Sequence, residues 1–427
     1  MKEDIKERLE MISRGKVPEG YKKSKVGIIP ADWEVRRFKQ EFEVNQGLQI
    51  PIRERYTNKI KGCYVYITND YINNFENNSY EVEYIKNPRN SVMCDYNDIL
   101  MTRTGNTGIV VSGIRGVFHN NFFKVRYDEE KYYHKFLVAL LESNHIQHSI
   151  SKLSGTSTIP DLTHSDFYSL EGAIPKYTEQ KKIAQILTTW DKGIELKKKL
   201  IEEKKVQKKG LMQRLLTGEL RLPGFDGQWK EIRLGDMGKT FNGLRNKTAK
   251  DFGKGKAYIP YKNIFDNPKI DIKNLDYVNI LDGENQNKVK YGDILFTTSS
   301  ETPDEVGMSS VLLEEVSELY LNSFCFGFRL KDFEILLAEF ARFFFRGDLF
   351  RRKVFKLAQG STRFNLSKNE MMKLNIKLPS IQEQKSIAQI LSTGDREIDL
   401  LQKEVDQLKL QKRGLMQLLL TGIVRVS

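Results

Sequence analysis

Apolar residues near the end of the chain fall into a heptad pattern. Leu391, Ile398, Leu401, Val405, Leu408, Leu415 and Leu419 occupy alternating a and d positions, which predicts a long helix with one apolar stripe. Residues 181–216 contain no proline and keep Leu187, Trp190, Ile194, Ile201, Leu211 and Leu215 in the same phase, but Lys197, Lys204 and Lys208 share that stripe. A homodimer of this helix would set lysine against lysine. Pairing within the chain tolerates them, because lysine stems can lie along an apolar partner. The predicted pair is an intramolecular coiled coil joining Leu187, Ile194, Ile201 and Leu211 with Leu391, Ile398, Leu401, Val405, Leu408 and Leu415. Two unrelated surface helices are the alternative, disfavoured by the shared phase.

The remaining chain alternates differently. Short β-rich runs such as GCYVYITNDYI, KAYIPYKNI, NDILMT, GDILFTT and SSVLL are followed by helical stretches beginning at Lys131 and Lys331, which predicts α+β domains. The expected organisation is an N-terminal helical extension over 1–30, a first domain over 31–178 and a first long helix over 179–218. A second domain over 219–380 and a second helix with a short tail over 381–427 complete it.

The two helical segments repeat one another. Residues 179–218 and 383–422 align at a constant offset of 204 with 24 of 40 positions identical, ending in KKGLMQRLLTG and KRGLMQLLLTG. Fainter echoes pair NDILMTRTG with GDILFTTSS, SGTSTIPDLT with QGSTRFNLS, and Trp33 with Trp229. The chain is thus two copies of one plan. A two-fold axis crossing the helices makes them antiparallel. MISRGKVPEGY at Met11 resembles RLLTGELRLPGF at Arg214, which suggests a third partial copy and a circular, pseudo-two-fold arrangement in which N-terminal helix and C-terminal tail meet. Gly218 and Gly422 suit the left-handed position that ends a helix.

Composition narrows the partners. A formal charge of +13 from 69 Lys+Arg and 56 Asp+Glu favours a polyanion, most simply nucleic acid. Cys63, Cys94 and Cys325 are dispersed and odd in number, so they read as reduced thiols of a cytoplasmic protein. No run of eighteen apolar residues suggests a membrane span. Motifs for chemistry fail one by one. LGDMGKT lacks the first glycine of a phosphate loop, no GxGxxG follows a strand, and the tetrapeptide usual in amino-methyltransferases is missing. His119, His134, His145, His148 and His164 all lie in the first half without a completing carboxylate or cysteine set. No catalytic or metal-binding residue is assigned.

The loops are more informative. Arg103, Thr104 and Asn106, with Thr156 and Thr158, mark two polar loops in the first half. Thr298, Ser299 and Ser300, with Ser361, Thr362, Arg363 and Asn365, mark their counterparts in the second. Such side chains read base edges and bind phosphates, although turns use them too. Basic loops add Arg53, Arg55, Lys59 and Lys61, then Arg245, Lys247 and Lys250. Divergent loops on a repeated scaffold are what two readers of different targets require.

The doubled blocks IPKYTEQKKIAQILTTWD…KKGLMQRLLTGELRLPGF and LPSIQEQKSIAQILSTGD…KRGLMQLLLTG, with GKVPEGYKKSKVGIIPADWE and GSTRFNLS, resemble the DNA-specificity subunit of type I restriction–modification enzymes. The resemblance covers essentially the full length. It implies two target-recognition domains, each reading one half of a split double-stranded site, and two long helices that act as a ruler. Over Ile186–Arg214 such a helix spans roughly 44 Å, about 13 base pairs. It further implies two methyltransferase subunits carrying S-adenosylmethionine, restriction/translocase subunits using ATP and Mg, and no cofactor or catalysis in this chain. One departure stands out: Arg363 has no side-chain equivalent at Thr158. The rival readings are a DNA-processing enzyme with one catalytic domain and a coiled-coil scaffold that does not bind DNA.

Overall fold

A computed structural model describes residues 3–75, 80–155 and 160–426. The chain forms two compact units, one from 1–197 with 404–427 and the other from 198–403. Each unit therefore takes half of both long helices.

In the first unit the strands Glu43–Gln46, Phe122–Arg126, Ile99–Thr102 and Val110–Val111 form an antiparallel sheet in that order. A second sheet orders Tyr84–Lys86, Cys63–Ile67, Gly116–Phe118 and Met93–Cys94, with its two central strands parallel. The second unit repeats the first arrangement with Gly238–Asn242, Cys325–Leu330, Ile294–Thr297 and Ser309–Val311. The cores follow the same plan. Trp33, Phe38, Phe123, Phe136 and Phe167 pack with Ile183, Leu187 and Leu419. Phe296, Phe328, Phe340 and Phe345 pack with Leu215, Ile387 and Leu391. In both units a sheet and the short helices thus share an apolar core with residues of the long helices.

Two expectations change in detail. The helical stretches after Lys131 and Lys331 each form two helices, His134–Leu141 with Asn144–Leu153 and Ala338–Phe344 with Asp348–Phe355. Ser143 is extended and its side chain caps Ile146 N, so the chain must bend there. The β-rich runs also end early. Thr68 caps a helix over Asn69–Asn74, and Pro260, in extended backbone, stands at the N-cap of another over Tyr261–Asp266.

The long helices run unbroken over Tyr177–Thr217 and Ile381–Leu420. Within the first unit, Lys197 Nζ lies 2.5 Å from Glu404 and Lys412 Nζ 2.5 Å from Asp191. Within the second, Lys204 Nζ lies 2.6 Å from Glu397, and Lys208 pairs with Asp395. In each unit the partner number falls as the helix advances, so the pairing is antiparallel. Leu187, Ile194, Ile201, Leu391 and Val405 are buried, and Leu211, Ile398, Leu401, Leu408 and Leu415 half-buried, whereas Leu196, Leu400 and Leu410 off the stripe are exposed. The stripe lysines do more than lie along apolar surface, because each meets a carboxylate. Pairs this exposed contribute roughly 0–1 kcal/mol each, so they choose register more than they add stability.

Each long helix begins with a buried Glu–Gln pair. Gln180 donates to Lys131 O and Pro175 O and accepts from Tyr133 N. Gln384 does the same with Ile335 O, Pro379 O and Leu337 N. Glu383 accepts two bonds from Arg221, at 2.7 and 2.9 Å. Glu179 accepts the Trp33 indole N–H at 3.0 Å and two bonds from Arg425, which also grips Asp32. Tyr21 Oη donates to Gly422 O at 2.7 Å, and Arg8 reaches Ile423 O. The C-terminal tail therefore completes the first unit as residues 218–222 complete the second, which is the circular arrangement expected. Gly15, Gly218 and Gly422 end their helices at φ of +71°, +76° and +69°, which supports the third partial copy.

Arg425→Ala would leave Glu179, 5 % exposed, with the Trp33 N–H alone. Stripping a partner from a buried ion pair costs on the order of 3–5 kcal/mol. Arg425 is partly solvated, so about 2–3 kcal/mol is expected. Hydrogen bonds from Arg425 also hold the Asp32 carboxyl below its ordinary value. That contribution is present above the ordinary aspartate pKa and disappears as pH falls below about 4. Hydrogen exchange should accelerate over 21–33 and 404–426 but not over 219–380, and unchanged protection over 21–33 and 404–426 would disprove the clasp.

Candidate nucleic-acid interface

Both units build the same loop pair from the same backbone bonds. In the first, the loop Arg103–Gly108 leaves the strand Ile99–Thr102, and Leu162 N donates to Arg103 O at 2.8 Å. In the second, Leu366 N donates to Thr298 O at 2.9 Å, with Ser299 facing Asn365 and Ser300 facing Phe364. Leu162 and Leu366 are buried, so an apolar anchor fixes each second loop against the first. A neighbouring helix supports each pair: Asn69 Nδ2 donates to Thr104 O, and Tyr261 Oη to Ser299 O.

The side chains differ sharply between units. Arg103 makes two bonds to Asp161, at 3.1 and 2.7 Å, and lies over the Phe123 ring. Thr104 Oγ1 bonds the same carboxylate. Burial pushes the Asp161 carboxyl up, but these hydrogen bonds outweigh it and hold it below its ordinary value. Asn106 is exposed. Thr156 and Thr158 lie outside the described residues. In the second unit Ser299 and Ser300 are buried, Ser300 bonding Glu305, and Thr298 is half-buried. Ser361, Thr362, Arg363 and Asn365 are exposed. The Arg363 guanidinium sits over Phe324, itself 57 % exposed, at the edge of a cleft lined by Tyr261, Phe265, Glu301 and Glu305.

The basic loops also divide. Arg55 bonds Glu83 and Ile50 O and lies over Tyr66, and Lys247 is buried against Glu284 at 2.6 Å. The hydrogen bond from Lys247 lowers the Glu284 carboxyl to about 2. Arg53, Lys59, Lys61, Arg245 and Lys250 are exposed. Sequence reasoning missed the aromatic residues Tyr261, Phe265 and Phe324. The closely spaced rings in YKNIF and NSFCF could have flagged them. The buried thiols fit the reading of unbridged cysteines: Cys63, Cys94 and Cys325 form no disulfide, and burial raises the Cys94 thiol to about 11. Among the described residues no helix is long and apolar enough to cross a membrane, and no group of three His, Cys, Asp or Glu could hold a metal.

Two units that share a scaffold and present unlike polar loops define a modular reader of polyanionic targets. The model for the type I restriction modification DNA specificity domain matches residues 30–205 and again 227–410. The chain belongs to that family and carries two target-recognition domains. It is 26 % identical over 420 residues to the type I restriction enzyme MjaVIII specificity subunit of Methanocaldococcus jannaschii, covering 93 % of this chain and 94 % of the relative. The putative MjaX specificity subunit of that organism is 26 % identical over 451 residues, covering 96 % and 97 %. A solved structure concerned with complex assembly and conformational transition of the type I R-M system shares the fold, with a TM-score of 0.59, 17 % identity and coverage of 93 % and 99 %.

The two arginines should behave oppositely when removed. Arg103→Ala takes a bidentate partner from Asp161 and should loosen both loops of the first unit by roughly 1–3 kcal/mol. Arg363→Ala should leave the melting temperature within about 1 °C, since exposed substitutions seldom exceed 0.5 kcal/mol. Calorimetry on both variants checks this, and an equal loss of stability would contradict the division.

Proposed function

We propose that this chain reads a split double-stranded DNA target, one half-site per unit, and positions partner subunits that perform the chemistry. The observation that carries the reading is the repeated backbone bond at Leu162 and Leu366. It holds two loops in one geometry while Arg103 is tied to Asp161 and Arg363 stands exposed. A frame that repeats while its exposed side chains change can serve two different sequences. Exposed Arg53, Lys59, Lys61, Arg245 and Lys250 suit phosphate contacts that set position without reading sequence. Arg363, Thr362 and Asn365 suit base edges.

Specificity subunits of these systems act in complexes. The finer assembly is two methyltransferase subunits holding S-adenosylmethionine, and restriction/translocase subunits using ATP and Mg. No catalytic residue is assigned to this chain, and its site of action is the cytoplasm. Two experiments test the proposal. A preparation shown by mass spectrometry to contain only this polypeptide should neither methylate nor cut DNA, and activity there would favour the rival with a catalytic domain. In the assembled complex, Arg363→Ala with Asn365→Ala should relax one half-site only, by roughly 1–3 kcal/mol at one position for a bidentate base contact. Methylome sequencing reads this directly. Loss of sequence preference in both half-sites would defeat the modular reading.

A further inference from the structure

Three charged side chains share one cleft of the second unit without neutralising one another. Arg363, Glu301 and Glu305 line a space of about 580 Å³ together with Tyr261, Phe265 and Phe324. The Arg363 guanidinium rests 5.7 Å from the centre of the Phe324 ring, and Glu305 accepts the Ser300 hydroxyl at 3.0 Å. Among the described residues none of the three charges forms an ion pair, and the exposed Glu301 side chain has no partner at all.

The first unit solves the same loop pair differently, because Arg103 and Asp161 hold each other. The matching backbone bond from Leu366 puts Thr298 where the first unit has Arg103, and Asn365 stands where it has Asp161. No internal pair can form at those two positions, and the arginine and carboxylates of the cleft stay apart.

The walls of the cleft are fixed from behind. Arg346 donates to Ile264 O, Phe265 O and Asn267 O at the end of the helix Tyr261–Asp266. Arg351 donates to Asp304 O, Val306 O and Gly307 O in the loop that follows Glu301. A frame held this way has less to order when a ligand arrives.

Charge then selects the ligand. A phosphate suits Arg363 but is repelled by two carboxylates. A base-pair edge in the major groove sets acceptors and a donor side by side. The arginine fork needs two adjacent acceptors, which guanine offers at O6 and N7. The cytosine opposite offers the N4 amine that a carboxylate accepts, whereas adenine has one acceptor and thymine presents a methyl group. Glu305 is already engaged by Ser300, so Glu301 is the free acceptor.

We propose, building on the DNA reading above, that the second unit reads a G·C pair, guanine through Arg363 and cytosine N4 through Glu301. Glu301 is then a specificity-determining residue of this half-site.

The test uses the assembled complex, with Arg363→Ala and Glu301→Ala each followed by methylome sequencing. Both should relax the same single position of one half-site, a G·C pair in the unaltered target. Discrimination there should fall roughly fivefold to a hundredfold. Gel-shift binding with 7-deazaguanine, which lacks the N7 acceptor, reads the contact itself. The unaltered complex should bind that DNA about tenfold more weakly than guanine DNA, and the Arg363→Ala complex should bind both alike. Relaxation of no position or of a different one by Glu301→Ala overturns the proposal, as does an A·T pair at that position. Full-strength binding of 7-deazaguanine by the unaltered complex overturns it too. So does equal weakening by Arg363→Ala on all sequences, which marks a phosphate contact, or equal tightening by Glu301→Ala, which marks simple repulsion. Relaxation of one half-site at another base pair rejects only this assignment, whereas relaxation of both half-sites rejects the reading of one half-site per unit.

Discussion

A buried carboxylate at the head of each long helix constrains everything around it. Glu179 and Glu383 lie in positions where an unpaired charge would be very costly. In both units the cation comes from an arginine three residues after the LLTG phrase, Arg425 or Arg221. The phrase must therefore return to the head of a long helix, and a glycine at positive φ turns the chain there. In the second unit the returning tail is simply the next stretch of chain. In the first unit it is the stretch from Gly422 to Arg425, which follows the second long helix. Closure of the first unit thus follows from one ionic requirement written twice.

The adjoining glutamine does complementary work. Its amide meets two backbone groups just before the paired short helices and a third just before the long helix, groups that need partners where they are buried. Glu and Gln together join the long helix to both the tail and the α+β layer. This gives EQ a physical reason to recur within a sequence that otherwise drifts. Gly193 in one helix faces Glu397 in the other copy's alignment, and Trp190 faces Gly394, so mid-helix identity is dispensable where this junction is not.

The helices, their antiparallel sense and the return of the tail were legible because periodicity and repetition are local signals. The carboxylate partners of Lys197, Lys204 and Lys208 were not, since acids on another segment reveal nothing until register is known. The break at Ser143 was hidden because an apolar run from Phe136 to Ile150 reads as one helix until the cap is seen. In the loops, residue type marked the right segments but not the state of each side chain. Arg103 and Arg363 look alike in sequence. One is fixed by Asp161 fifty-eight residues away, the other lies over an exposed ring. Only a contact map separates a structural arginine from an exposed one.

The repeat is also unequal in ways that bear on function. Trp33 gives its indole N–H to Glu179, whereas the buried Trp229 Nε1 has no hydrogen-bond partner among the described residues. The first unit has both the indole bond and a hairpin of Tyr21–Ser24 with Gly27–Pro30, and the second has neither. An orphan donor of this kind costs about 1–3 kcal/mol, so the second clasp is held by Arg221 with less redundancy than the first by Arg425 and Trp33. Two copies of one plan have therefore diverged at their loops and at their clasps. The shared elements are the buried Glu–Gln junction and the anchoring leucines, which define where a loop stands. The divergent ones are the surfaces at which each unit meets something else. That separation lets loop side chains change without disturbing the core, as a reader of two unlike sequences requires.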